Sequence, residues 1–300
     1  MPDIAQLLTI DIGIDPILAE FGGLELTWHG IFTAVGIALG VYLGVWLGRQ
    51  QGFTEDDGYS IALVGVPAGI VGARAMFVLE NRERFEGQWF DVMRINEGGI
   101  SIYGAVIGGV LGALIYGWLR RMPVARGLDV AAFGLLLGMA VGRIGDLING
   151  EHISKSSDLP WAVRYTHIDS PSFQLGAQHP ATTYEMLGDV LIIGLLVLLF
   201  RQFWQSRPGV TFFAGLVLYS VMRFGVSYLR LDSCVEPSGG CPDYIIRDWM
   251  TFPQVVSLCT FAIGVAGLAW FASEPRSSTW VLREDESAPP RTKARAARRA

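Results

Sequence analysis

Charge is scarce in this chain. Asp, Glu, Lys and Arg make up 17% of its 300 residues against 51% hydrophobic ones, and the mean hydropathy is +0.39. That balance is too apolar for an ordinary soluble domain and indicates several membrane spans. Cysteine is rarer still, at 3 residues. Neither a CxxC pair nor a zinc-type spacing occurs, so no metal site is expected from cysteine pattern. No nucleotide or other cofactor is indicated, and no nucleic-acid partner. Cys234 and Cys241 share a short polar loop in which a disulfide could persist if the loop lies outside the cell. Cys259 sits in an apolar run and reads as a small packing residue. The segment Met1 to Glu20 carries acids and no positive n-region, so a cleaved signal peptide is not expected.

What is abundant is glycine, at 37 residues, which suits helices packed closely in lipid. Apolar runs occur near Leu26–Leu47, Tyr59–Leu79, Ile100–Leu119, Leu128–Arg143, Tyr184–Phe200, Val210–Leu229 and Phe252–Phe271. Most approach the ~20 residues needed to cross a bilayer. The fourth is short unless it continues through Ile148. The expected fold is therefore an all-α, polytopic membrane protein of about seven transmembrane helices. Its parts are an extracytoplasmic segment over 1–25, a membrane domain over 26–272 and a basic, disordered tail over 273–300.

Orientation follows from the basic residues. Arg49, then Arg120, Arg121 and Arg126, then Arg201 and Arg207, then the arginine-rich tail all fall on one side. The opposite loops are mixed or acidic, as in Glu80 to Glu97. The excess of positive charge marks the cytoplasmic face, so the N-terminus is expected outside and the C-terminus inside.

Charged residues within spans are costly and functional by default. Arg74, Arg143 and Arg223 stand inside or at the edge of apolar runs, and the topology puts all of them in the outer part of their helices. Trp28 and His29, Ser101 and Tyr103, Asp146, Asn149, Glu151 and His152, and Tyr184 and Glu185 fall at the same level. The planar fork of arginine suits phosphate oxygens. Each arginine alone could snorkel or pair with a nearby acid, Arg143 with Asp146 or Glu151 for example. Arginines from separate helices at one depth, with no matching set of intramembrane acids, point instead to an anionic ligand such as a phospholipid head group. The glycine strings Gly98 to Gly104 and Gly108-Gly109 read first as close helix packing. The string Gly142 to Glu151 is more specific, crowding charged and amide groups among glycines at a helix exit.

In this order the strings resemble prolipoprotein diacylglyceryl transferases of bacterial inner membranes. The likeness runs from about Trp28 to Leu258. Gly142 to Glu151 is similar to the family's Gly-Arg-x-Gly-Asn-x-x-Asn-x-Glu signature, and Gly72-Ala73-Arg74, His179-Pro180, Tyr184-Glu185, Arg223-Phe224, Arg230 and Thr251 to Ser257 support it. This chain has Asp146 where the signature has asparagine, Tyr103 where a histidine is common, and His29 in a Trp-Tyr-Gly string. Ser227 also replaces a common glutamate.

The resemblance implies an enzyme that moves a diacylglyceryl group from phosphatidylglycerol to the lipobox cysteine of a prolipoprotein, leaving a thioether and releasing glycerol phosphate. It implies Arg143 as the phosphate contact and Arg223 as a second cationic stabiliser. Asn149 and Glu151 would shape the head-group pocket, with Arg74 and Asp146 also binding substrate. For the proton acceptor, Tyr103 and His29 are the candidates, and His29 is the better intrinsic base. Phosphatidylglycerol, the lipobox peptide and membrane lipids would be its partners. Two other readings compete: a relative on the same scaffold that is inactive or uses another lipid or thiol, and a transporter with polar groups spread through the bilayer depth.

Overall fold

The computed structural model describes residues 9–22, 24–85, 89–93, 99, 101–200, 206–231, 244–246 and 250–273. Its frame is helical: α1 (Trp28–Gln50), α2 (Glu55–Glu80), α3 (Ile102–Leu119), α4 (Val124–Asn149), α5 (Ala181–Leu195), α6 (Val210–Ser227) and α7 (Phe252–Ser273). Among the described residues, six of these are long and apolar enough to cross a membrane, and α3 supplies a shorter apolar stretch, Gly104–Leu119.

Burial runs opposite to that of a soluble protein. Leu63, Val71, Ile115, Leu191, Val221 and Ile263 are exposed, while Asp129, Asp146, Glu185, Asp189 and Gln254 are buried. Lipid is the natural solvent for such an exterior, and polar groups retreat to the interior to find partners. Cys259, expected to pack, is instead exposed on α7.

Glycine sets the helix pairing. A Cβ on Gly36 would lie 2.5 Å from the Gly138 carbonyl oxygen, and one on Gly40 would lie 2.5 Å from that of Gly134. These small-xxx-small pairs bring α1 and α4 into backbone contact in antiparallel register. The same device joins α2 to α3, where a Cβ on Gly72 would stand 2.4 Å from the Gly104 oxygen. On α6 and α7, Ser220 meets Thr260 at 2.8 Å. Each helix thus reverses the direction of its sequence neighbour. The starts of α1, α3, α5 and α7 share one end with the finishes of α2, α4 and α6.

At the opposite end the buried Asp129 carboxylate accepts the amides of Gly209 and Phe212 at 2.7 and 2.8 Å. It satisfies the orphan donors of the first turn of α6 and ties α4 to it.

The fourth helix is longer than its apolar run. It continues to Asn149, so Asp146 and Asn149 belong to its last turns rather than following it. Arg143, Asp146 and Asn149, three residues apart, therefore line one face. Gly150 ends the helix in the left-handed region with φ 71°. The segment after it caps the helix. Tyr165, Ser170 and Ser172 donate hydroxyls to the carbonyls of Leu147, Asn149 and Gly150 at 2.8, 2.8 and 2.6 Å.

Small strands cover this end. β1 (Ile10–Ile12) pairs in parallel with β4 (Val163–Tyr165), β2 (Ile17–Phe21) forms a hairpin with β3 (Leu24–Thr27), and β5 (Tyr244–Ile246) pairs with β6 (Met250–Thr251). Asp11 accepts two bonds from Arg164, both 2.8 Å, across the first of these pairs. Cys234, Cys241 and the basic tail lie outside the described residues.

Candidate active site

The end of the bundle closed by these strands holds a connected set of charged side chains. Its hub is Glu185 in the second turn of α5, whose side chain is 2% exposed. Arg143 Nη2 from α4 lies 2.6 Å from Glu185 Oε2. Arg223 Nη1 from α6 donates to Oε1, and Arg230 Nη1, just past α6, reaches the same oxygen at 3.0 Å. Three guanidinium groups thus converge on one buried carboxylate.

Asp146 is a second hub. Arg143 Nη1 donates to its Oδ2 at 2.7 Å, and His152 Nε2 lies 3.3 Å from the same oxygen. His29 Nδ1 approaches the other oxygen, Oδ1, at 2.5 Å. His152 closes the network, since Arg230 Nη2 stands 2.6 Å from its Nδ1 and Arg143 Nη1 is 3.2 Å from its Nε2. Asn149 Nδ2 donates to Glu151 Oε1 at 2.7 Å. The buried Asn149 Oδ1 has no hydrogen-bond partner among the described residues.

Local structure explains why these groups meet. A Cβ at Gly145 would lie 2.8 Å from both His29 Cα and the Trp28 carbonyl oxygen. Only a glycine lets the start of α1 come so close to α4. That approach delivers His29 to Asp146, 117 residues away in the chain. Burial, with the negative charge of Asp146 near it, pushes the Tyr165 phenol up, so Tyr165 stays a donor to α4.

The sequence-expected residues divide. Arg143, Arg223, His29, Asp146, Asn149 and Glu151 meet in this network. Arg74 has a different set of contacts. Its Nε, Nη1 and Nη2 donate to the carbonyls of Val92, Gly99 and Asp91 at 2.8, 2.8 and 2.6 Å, and its guanidinium lies over the rings of Phe77 and Phe85. It fastens the connection between α2 and α3. Tyr103 stands in the first turn of α3, and its side chain lies outside the described atoms.

One premise is corrected. The arginines do have matching acids, Glu185 and Asp146, both within the helices. Glu185 and His152 were expected at this level, and Arg230 among the strings of the resemblance, but none of them was given a role. Glu185 had a legible signal, because it interrupts the opening of an apolar run just as Arg143 interrupts another.

Comparison with known proteins gives the family. The family model described as prolipoprotein diacylglyceryl transferase matches residues 16–270. A phosphatidylglycerol–prolipoprotein diacylglyceryl transferase of Nostoc sp. is 33% identical over 264 residues, covering 85% of this chain and 88% of that protein. Its counterpart in Symbiobacterium thermophilum is 32% identical, covering 88% of this chain and 96% of its own. One from Clostridioides difficile is 30% identical over 73% of this chain and 85% of its own. With a frame of helices able to cross a membrane and a family match across most of its length, the chain belongs to the prolipoprotein diacylglyceryl transferase family.

Proposed function

We propose that the protein transfers the diacylglyceryl group of phosphatidylglycerol to the thiol of a lipobox cysteine, the first step of lipoprotein lipidation. The observation that carries this reading is the convergence of Arg143, Arg223 and Arg230 at one end of the bundle. The reaction must hold a lipid phosphate and stabilise the negative charge that gathers on it as the glyceryl C–O bond breaks. Preorganised guanidinium groups in a site sheltered from water do this well. Glu185 holds them in place before the lipid arrives, and a phosphate oxygen competes for the same donors.

Asn149 and Glu151 border the place where the head group would sit. The buried Asn149 Oδ1 is suited to accept a hydroxyl of the glycerol head group. Arg74 supports the site through the α2–α3 connection, which leads into the first turn of α3 where Tyr103 stands. The substrate brings the nucleophile, because a lipobox cysteine supplies the sulfur. The orientation inferred from loop charge puts this end of the bundle outside, where exported prolipoproteins and outer-leaflet lipid are both available. The protein is then an enzyme of the bacterial inner membrane.

The test is transfer of labelled diacylglyceryl from phosphatidylglycerol to a lipobox peptide by membranes containing the protein. Arg143→Ala should lower that transfer by roughly 10²–10³-fold, the usual effect of removing one stabilising donor. Parent membranes that transfer no more label than the Arg143→Ala membranes would refute the reading and favour a relative with another acceptor.

A further inference from the structure

His29 opens α1 with one ring nitrogen engaged and its ring partly accessible. Nδ1 lies 2.5 Å from Asp146 Oδ1 and 3.4 Å from Glu151 Oε2. An ionised carboxylate only accepts hydrogen bonds, so in the neutral imidazole the proton resides on Nδ1 and Nε2 carries the lone pair. The His29 side chain is 43% exposed and that of Asp146 is 5% exposed. A buried carboxylate therefore orients an accessible base, the layout in which it fixes the tautomer and steadies the imidazolium.

The neighbouring groups are worse proton acceptors. His152 is enclosed, with Arg230 at one ring nitrogen and Arg143 and Asp146 Oδ2 at the other, so its ring nitrogens are already engaged within the network. Glu185 is buried and shared by arginines. Tyr165 is committed as a donor to the Leu147 carbonyl. Glu151 is accessible, yet a carboxylate is less basic than an imidazole by about 2 pK units before either is perturbed.

We infer that His29 Nε2 is the general base that takes the proton of the acceptor thiol, with Asp146 as its positioning residue. This rests on the transfer reading above. The S–H proton passes to Nε2 and the sulfur attacks the glyceryl carbon. The S–C bond forms while the C–O bond to phosphate breaks, and its electron pair leaves on the phosphate oxygen of glycerol phosphate. The proton then passes from His29 to water or to the departing phosphate. Asp146 serves both ends of this step: Oδ1 holds the base and Oδ2 holds Arg143. A single carboxylate thereby keeps the proton acceptor in register with the cation that receives the leaving group.

The experiment uses membranes carrying the full chain, labelled phosphatidylglycerol and two lipobox peptides, one with cysteine and one with selenocysteine. A selenol is ionised at neutral pH and needs no base. His29→Ala and His29→Gln should lower kcat for the cysteine peptide by about 10²–10⁴-fold, with KM for phosphatidylglycerol little changed, and lose less than about tenfold with the selenocysteine peptide. Gln retains a polar contact for Asp146 but has no basic nitrogen, so it separates base loss from local misfolding. Equal losses with both peptides, or parent-like activity of His29→Gln on cysteine, would overturn the assignment. If the parent protein modifies neither peptide, the transfer reading falls and the base assignment falls with it.

Discussion

Glu185 keeps its carboxylate where water is scarce, and its charge is tolerable there because arginines from α4 and α6 share it. Removing one partner of a buried ionic cluster leaves the others uncompensated, at a cost of about 3–5 kcal/mol. Glu185→Gln should therefore lower the thermal midpoint in detergent as well as the transfer rate, measured by fluorescence-detected unfolding beside the activity assay. A midpoint equal to the parent's would show that the arginines do not depend on this acid. At this scale the sequence was half legible. Arginines and acids that interrupt apolar runs are visible in a hydropathy profile, but their partners are not. Arg223 and Arg230 reach Glu185 across 38 and 45 residues, and His29 reaches Asp146 across 117. Read singly, His29 and Asp146 are two separate departures from the family strings. In the fold they touch. Arg74 shows the converse, because its position in the apolar run of α2 does not reveal that loop carbonyls take its donors.

The helices were more legible than their ends. Apolar runs located all of them, since a span must be apolar over its full lipid-facing length. The finish of α4 was hidden because Asp146 and Asn149 break the run while the backbone continues helical to Asn149. Hydropathy measures what a segment dissolves in, and hydrogen bonding decides where its helix stops. The glycine strings were read as packing devices, and the α1–α4 seam shows what that means for the site. Gly36→Val would force α1 away from the Gly138 carbonyl, 2.5 Å from the new Cβ. Overpacking of this kind costs typically about 1–3 kcal/mol. The expected outcome is a protein that still inserts but loses stability and activity together, because His29 and Asp146 ride on the two helices being separated. Retained transfer with a lowered midpoint would mean that the seam supports the fold alone.

Across the whole molecule, charge polarity organises the structure. Acids, amides and guanidinium groups collect at one end, where the β strands lie, and the arginine-bearing loops lie at the other. This predicts an orientation: a phosphatase reporter fused after Ser273 should be inactive and a fluorescent protein fused there should fold and fluoresce. The opposite pattern would put the site on the cytoplasmic face and remove it from exported substrates. The parallel pair of β1 and β4 carries a further consequence, for how the molecule is made. Asp11 and Arg164 are 153 residues apart, yet each completes the other. During synthesis the first strand emerges early and must wait, edge open, while four helices are threaded into the bilayer behind it. Its docking then records that the half-made chain has crossed correctly, and the chamber gains its roof only after its walls are standing.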